Sequence, residues 1–465
     1  MKLCSLTAIS PIDGRYNNIV KHLRLIFSEF ALFKLRVKIE ICWLKELIKN
    51  GIIKKSNLFD NRIFYYLDSI FKNFSIEDAK KIKNIEKLTN HDVKSVEYFV
   101  KKKISCIKRL SKVKEFVHFA CTSEDINNIS YAIILKEIRK SFILPNWKIL
   151  INLINKISYE YSDLSMLSYT HGQPATPSTL GKEMANFSYR MYRQLFQLKK
   201  IKILGKMNGT VGNYNAHFVA YPNINWIKIT KKFVKNFNIN WNPFTTQVEP
   251  YDYIIEILNC IIRFNLILIK FCKDIWIYVS MGYLEQKYPY SQIGSSIMPH
   301  KKNPIFFENA EGNLGLSNSI MQYLSSNISI SRLQRDLCNS TLLRNIGSSL
   351  SYSFIAYTAI INGIKCIKIN KEKILEDLDK NWQILSEPIQ TIMRKNLINN
   401  SYEKLKFFNK KNSISKKDIR NFISNLDISR KDKTLLKELT PKKYIGYSKK
   451  FIKFLKKIKN NVDTI

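Results

Sequence analysis

Acidic residues are scarce in this sequence. Asp and Glu number 37 against 76 Lys and Arg, a formal charge of +39 over 465 residues. Such an imbalance points first to nucleic acid or an anionic membrane surface. The lysines are scattered, however, with no single basic tract and no interleaved aromatic and basic motif. Lys, Ile and Asn are abundant together and share A/T-rich codons, so the excess is read chiefly as genome composition. A phosphorylated, carboxylated substrate would still be drawn to the chain. Glycine is also sparse, and nine of the 14 glycines lie between Gly172 and Gly315. The eight cysteines form no CxxC pair, and nothing suggests a metal cage. Reduced thiols in a cytoplasmic protein account for them. No basic leader precedes an apolar core, so no signal peptide is expected. The most apolar segment, Tyr253 to Met281, is interrupted by Glu256, Arg263, Lys270 and Asp274 and makes a poor membrane span. No repeat or low-complexity linker stands out.

What is present is helical periodicity. Apolar residues recur at three and four in Asn17–Asn50, where Phe33, Val37, Ile41, Leu44 and Ile48 share a face and Gly51 ends the run. Further helices are expected over Asn61–Phe74 and Val93–Lys103. Long ones are expected over Glu124–Ile143, Pro145–Tyr161, Ser178–Lys202, Asp252–Met281, Glu311–Ser326 and Leu342–Gly363. Shorter ones follow, such as Lys371–Asp379 and Ile389–Leu397. The pattern predicts an all-α protein of three consecutive helical domains, 1–111, 112–364 and 365–465. The central domain is an elongated bundle whose apolar surface calls for burial between subunits. Strands are expected to be brief at most.

One loop concentrates chemistry. Gln292 to Pro304 reads QIGSSIMPHKKNP. Gly294 frees the backbone, and Pro299 and Pro304 exclude a helix. Hydroxyls, His300, Lys301 and Asn303 together suit an anion, and successive N–H groups can form an anion-binding concavity. An ordinary surface turn is the plain alternative.

This stretch resembles the GSSxMPxKxN signature of the fumarase/aspartase superfamily, with Gly294, Ser295, Ser296, Met298, Pro299, Lys301 and Asn303 in place. The segments SLTAISPIDGRY, TNHDVKSVEYF, FACTSEDINN, THGQPATPSTLGKEMAN and SRLQRDLCNSTLLRN narrow the resemblance to the adenylosuccinate lyases of the longer bacterial type. It runs from about Leu3 to about Tyr447 and is weakest in the Lys-rich C-terminal part. It implies a carbon–nitrogen lyase of purine biosynthesis that eliminates fumarate without metal or cofactor.

The resemblance implies Ser295 as general base and His171 as general acid. A serine serves as base only if its alkoxide is held by donors, which the loop N–H groups and Lys301 could supply. Imidazole suits the acid because its pKa lies near neutrality. Of the remaining histidines, His91 matches a substrate-site position, His22 fits a structural role, and His118 and His217 fit packed or supporting ones. Arg15, Tyr16, Arg335, Ser340 and Arg344 match a phosphate grip, with Thr341, Leu342 and Leu343 inside its last stretch. Guanidinium forks bind phosphate bidentately. Thr122 and Ser123 precede a helix and, with Ser296, Lys301, Lys302 and Asn303, are implied to hold the succinyl carboxylates. Asn90, Asp92, Gln247 and Asn309 complete the implied contacts. The resemblance further implies a homotetramer whose sites draw residues from three subunits, and no nucleic-acid or membrane partner. Ile297 and Lys302 depart from the usual signature, and Gly282 and Gly294 could hinge the loop over substrate.

Two alternatives remain open at this point. A sister lyase acting on argininosuccinate, aspartate or malate would not need the arginine grip. A basic nucleic-acid-binding helical scaffold has only the charge to support it.

Overall fold

The computed structural model describes residues 1–53, 60–287, 295–410 and 414–463, the last five by backbone alone. Gln292, Ile293 and Gly294 of the signature loop, with the proposed hinge at Gly294, lie outside the described residues. The principal helices are α1 (Glu29–Lys49), α2 (Asn61–Lys72), α3 (Ile76–Thr89), α4 (Asp92–Ser105), α5 (Ser123–Ile138), α6 (Leu144–Glu160), α7 (Leu180–Lys200), α8 (Asp252–Ser280), α9 (Ile305–Asn327), α10 (Cys338–Leu343) and α11 (Ile346–Lys365). Among the described residues, strands occur only in three two-stranded sheets. The fold is all-α, and no described helix is long and apolar enough to cross a membrane.

The chain divides into two compact units, each discontinuous in sequence. The first comprises 1–146, 197–265 and 313–356, and the second 147–196, 266–312 and 357–465. This interleaved division is of a different kind from three consecutive domains. In the first unit the α1 stripe of Phe33, Val37, Ile41 and Leu44 is buried, as are Val96 and Val100 of α4 and Ile126 and Ile129 of α5. Burying each such side chain contributes about 1.5–3 kcal/mol. A buried polar seam also runs through it. Asn265 Nδ2 donates to Asn318 Oδ1 at 3.0 Å and to Ser353 Oγ at 2.9 Å, and Ser317 Oγ donates to the Ser349 carbonyl at 2.8 Å. In the second unit Leu167, Leu378, Leu385, Ile389, Met393 and Ile419 form one apolar cluster.

Several expected boundaries moved. The helix expected over Asn17–Asn50 is broken before Glu29. Ser28 is extended there and its Oγ accepts from Ala31 N–H at 3.2 Å, so a good capping residue starts a fresh helix. Helix α3 was not anticipated; its sequence is polar, but Ser75 and Asp78 form a capping box that marks its start. The helix expected over Leu342–Gly363 is two, separated at Arg344 and Asn345. A π-turn at Arg139–Ile143 precedes Pro145, whose missing N–H and ring disturb the helical ladder. The main miss is β1 (Ser165–Thr170) with β2 (Gln173–Thr179), an antiparallel hairpin. The ladder slips by one residue at Thr176–Pro177, where a proline with no N–H is tolerated.

His217 is packed, within the first unit. It is 1% exposed, and its ring meets Trp226, Tyr214 and Trp43 edge-on at 4.8, 5.5 and 6.2 Å. Neither ring nitrogen has a hydrogen-bond partner among the described residues. Burial lowers its pKa to about 4. The unfolded chain therefore binds a proton there more readily than the folded one. Stability from the neutral ring is full above about pH 6.5 and is lost as pH falls toward 4. His217→Phe should remove a penalty of about 2 kcal/mol at pH 5 while changing little at pH 7.5. Urea unfolding of both proteins at the two pH values checks this, and an equal change at both would contradict it.

Candidate active site

The expected site residues fall into two groups, one within each unit. In the first unit, Arg15 is exposed on a tight turn closed by Gly14 N–H to the Ser10 carbonyl at 2.9 Å and Tyr16 N–H to the Pro11 carbonyl at 2.9 Å. A Cβ at Gly14 would lie 3.1 Å from the Ser5 carbonyl oxygen, so a larger residue would crowd the turn.

Asn90, His91 and Asp92 join α3 to α4. Asn90 ends α3 in the left-handed region, φ +49°. His91 caps α4, its Nδ1 accepting from Lys94 N–H at 3.1 Å. A nitrogen that accepts leaves the proton of the neutral ring on Nε2, where it can serve as a donor. Asp92 Oδ2 accepts from Arg36 Nη2 at 2.8 Å and from Arg344 Nη2 at 3.0 Å. Burial pushes the Asp92 carboxyl up, but Arg36 and Arg344 outweigh it and hold the group below the usual carboxylate range.

Thr122 and Ser123 open α5, both half-buried. Asp125 Oδ2 accepts from Thr122 N–H at 2.8 Å and from Gly209 N–H at 3.1 Å, and Oδ1 accepts from Asn208 N–H at 3.1 Å. Lys206 Nζ lies 3.0 Å from Asp125, with both side chains at most 1% exposed. One carboxylate thus locks the helix start to the loop after Gly205. His118 lies just ahead of this start. Its Nδ1 is 2.6 Å from Oε1 of the fully buried Glu40. Burial lowers its pKa, but Glu40 outweighs that and the net shift is upward.

Arg335 Nη1 donates to Gln247 Oε1 at 3.2 Å, and its Nη2 lies 3.2 Å from Glu124 Oε1. Gln247 Nε2 donates to the Thr210 carbonyl at 3.1 Å. Ser340, Thr341 and Leu342 are accessible in part or whole on α10, whereas Leu343 is 3% exposed and packs inward. Asp92, Arg344, Gln247 and Arg335 are therefore brought into direct contact with partners inside one unit.

In the second unit, His171 and Gly172 form the two-residue turn of the β1–β2 hairpin, with φ +51° and +73°. Two positive φ values in succession suit a hairpin, and glycine takes its share without strain. His171 is exposed, and none of the described residues hydrogen-bonds its ring. Ser295 Oγ accepts from Met298 N–H at 3.1 Å, and Lys301 N–H donates to the Met298 carbonyl at 3.0 Å. Ser296, Lys301 and Lys302 are exposed; Asn303 and Asn309 are half-buried at the start of α9. Among the described residues no hydrogen bond or ion pair joins His171 to Ser295. No group of three or more His, Cys, Asp or Glu side chains is placed to hold a metal among the described residues.

A lyase family profile matches residues 14–316, and an adenylosuccinate lyase C-terminal profile matches 331–445. An adenylosuccinate lyase of Buchnera aphidicola (subspecies Acyrthosiphon pisum) is 54% identical, over 97% of this chain and 99% of that relative. The adenylosuccinate lyase of Escherichia coli is 51% identical, over 96% and 98%. The chain belongs to the adenylosuccinate lyase family. A solved fumarate lyase from a Mesorhizobium species has the same fold, with TM-score 0.75 at 13% identity over 94% of this chain and 97% of that one. A solved β-carboxy-cis,cis-muconate cycloisomerase from Acinetobacter calcoaceticus gives 0.73 at 14% over 94% and 97%. At that distance the likeness concerns fold alone.

Sequence reasoning missed the buried supports of this family site. They are Arg36, Glu40, Glu124, Asp125, Asn127, Lys206, Glu249 and Tyr251. A signal existed for two of them: Arg36 and Glu40 interrupt the apolar stripe of α1 at three-to-four spacing, and both are buried. Glu249, 1% exposed, braces the loop that carries Gln247 by accepting from Asn242 Nδ2 at 2.8 Å and Tyr251 N–H at 2.6 Å. Burial raises its pKa to about 7. A carboxyl raised on folding contributes stability that is full below its unfolded pKa near 4.5 and is lost as pH rises through 7. The protein should thus lose up to about 3 kcal/mol between pH 5 and pH 8.5 from this group. Glu249→Gln should flatten that part of the profile, which unfolding curves across the range will show; an unchanged slope would count against the assignment.

Proposed function

We propose that this chain catalyses the reaction for which its relatives are named. It would eliminate fumarate from adenylosuccinate to give AMP, and from succinylaminoimidazole carboxamide ribotide to give the carboxamide ribotide. The carrying observation is identity of 54% across nearly the full length of a relative named for that activity. Both substrates share phosphate, ribose and succinylamine, so one site can serve both. The compartment is the cytoplasm.

The chemistry needs two proton transfers. A base takes the proton from the carbon beta to the leaving nitrogen, and an acid protonates that nitrogen as the C–N bond breaks. The carbanion spreads its charge into the adjacent carboxylate, which fixed donors and cations must stabilise. Ser295 is the base in this reading. The Met298 N–H on its Oγ is one donor able to hold an alkoxide, and the exposed Lys301 offers a cation. His171 is the acid; its exposed ring, with no partner in the described chain, is left for the substrate nitrogen. Arg335 and Arg344, with Arg15, grip the phosphate, and His91 orients the leaving nucleotide through Nε2. Thr122, Ser123, Ser296, Lys302, Asn303 and Asn309 serve the succinyl end. The segment beginning at Ser295 closes over substrate and limits turnover.

The sites are shared in a homotetramer. Leu266, Trp276 and Ile277 of α8 and Leu316 and Tyr323 of α9 are exposed, apolar surface that an assembly would cover.

Ser295→Ala and His171→Ala should each slow fumarate release from adenylosuccinate at least about a hundredfold, with helicity and assembly mass unchanged. Near-normal turnover in either variant would reject that residue's role. Mixing the two inactive variants should restore part of the activity. Verified subunit exchange without any recovery would reject shared sites. Wild-type turnover of argininosuccinate, aspartate or malate in preference to adenylosuccinate would reassign the substrate.

A further inference from the structure

Arg335 and Arg344 each lie against a carboxylate. A carboxylate beside a guanidinium cancels its charge and weakens its pull on a phosphate dianion. A third guanidinium, inside the same unit, answers this. Arg36 sits on α1 beside Val37 and is 2% exposed. Its Nη2 donates to the Asp92 oxygen that Arg344 also reaches, at 2.8 and 3.0 Å. Its Nε donates to Asn127 Oδ1 at 2.9 Å, and Asn127 Nδ2 donates to Glu124 Oε1 at 3.0 Å. That oxygen is the one against which Arg335 lies at 3.2 Å. Tyr251 O–H occupies the other oxygen of Glu124 at 2.9 Å.

A chain of hydrogen bonds thus runs from Arg344 through Asp92, Arg36 and Asn127 to Glu124, and an ion pair extends it to Arg335. Three guanidiniums stand against two carboxylates, leaving one net positive charge. Without Arg36 the balance is zero, and Arg344 is the one guanidinium left on Asp92. Burying a guanidinium is costly, and two acceptors in good geometry offset that cost. Arg36 does not reach the surface, so its cation serves the network.

We propose that Arg36 is a positioning residue for phosphate recognition. It neutralises Asp92, fixes the two carboxylates that aim Arg344 and Arg335, and leaves their charge to the phosphate of a nucleoside monophosphate. The proposal rests on the functional reading above. A merely structural ion pair would weaken every ligand alike; a phosphate-positioning one discriminates by phosphate.

The test compares inhibition of fumarate release by AMP and by adenosine, which lacks the phosphate, in the full-length wild type and in Arg36→Gln. AMP inhibition should weaken at least tenfold and adenosine inhibition less than twofold. KM for adenylosuccinate should rise by a larger factor than kcat falls. Unchanged AMP inhibition, or equal weakening of both inhibitors, overturns the proposal. Should Arg36→Gln fail to fold, Arg36→Lys decides. It keeps the cation but cannot present the fork to both acceptors. A threefold or greater loss confined to AMP then supports the proposal, and no selective loss overturns it. A wild type that releases no fumarate from adenylosuccinate removes the functional reading itself, and this inference with it. An active wild type with an indifferent Arg36→Gln removes the inference alone.

Discussion

Two guanidinium groups share one oxygen of Asp92, and much of the first unit is arranged so that they can. Like charges at that spacing repel strongly where water is thin. They coexist because the carboxylate lies between them and because Arg36 has a second acceptor in Asn127. Meeting that requirement ties α1, α4 and α5 together at fixed register. The apolar stripe of α1 drives the helices together. The polar groups within the stripe decide which turn of α1 faces which turn of its neighbours. A slip of one turn would leave Arg36 and Glu40 buried without partners, at a cost of several kcal/mol.

The same device recurs where a loop must be held still. Asp125 gathers backbone N–H groups from Thr122, Asn208 and Gly209 and the ammonium of Lys206. Glu249 gathers Asn242 and the Tyr251 amide under the segment that presents Gln247. Each buried carboxylate sits on the inner side of a loop whose outer side carries implied substrate contacts. Acidic residues are few in this chain, and three of the buried ones, Glu124, Asp125 and Glu249, serve these loops, while Glu46, Asp78, Glu97 and Asp432 cap or pair helices elsewhere. The positive excess is left to the outside, where an anionic nucleotide arrives.

His171 follows another logic. It needs a fixed backbone and an unencumbered ring, and a two-residue hairpin turn supplies both. The ladder of β1 and β2 anchors the turn from behind, while the turn itself points two residues clear of the ladder. Ser295 lies instead at the edge of a proline-punctuated loop, where the Met298 amide is the one group on its hydroxyl among the described residues. In the proposed reading the acid is held on a rigid turn, and the base stands on the loop that would close over substrate.

The helical class, the long segments α5 to α9 and the family were legible in the sequence. Period 3.6 repeats over many residues, and the signature loop with its flanking motifs is long and specific. The residues that meet ligand in the proposed reading were named there too, because motifs record the groups that do chemistry. The hairpin was not legible, since its glycine, prolines and threonines carry no alternating pattern. Nor were α3, whose capping box stands before a polar run, or the break at Arg344 and Asn345 in an otherwise helical stretch. Above all, the supports of the site were not. Arg36, Asn127 and Glu124 are scattered in sequence, and a charged residue in a helix is ordinarily solvated. Only burial distinguishes a guanidinium that must be paired from one that water satisfies, and burial is settled when helices distant along the chain close over it. Sequence alone named the groups proposed to act; the tertiary structure decided what holds them, because desolvation is a property of the packed chain and not of any segment in it.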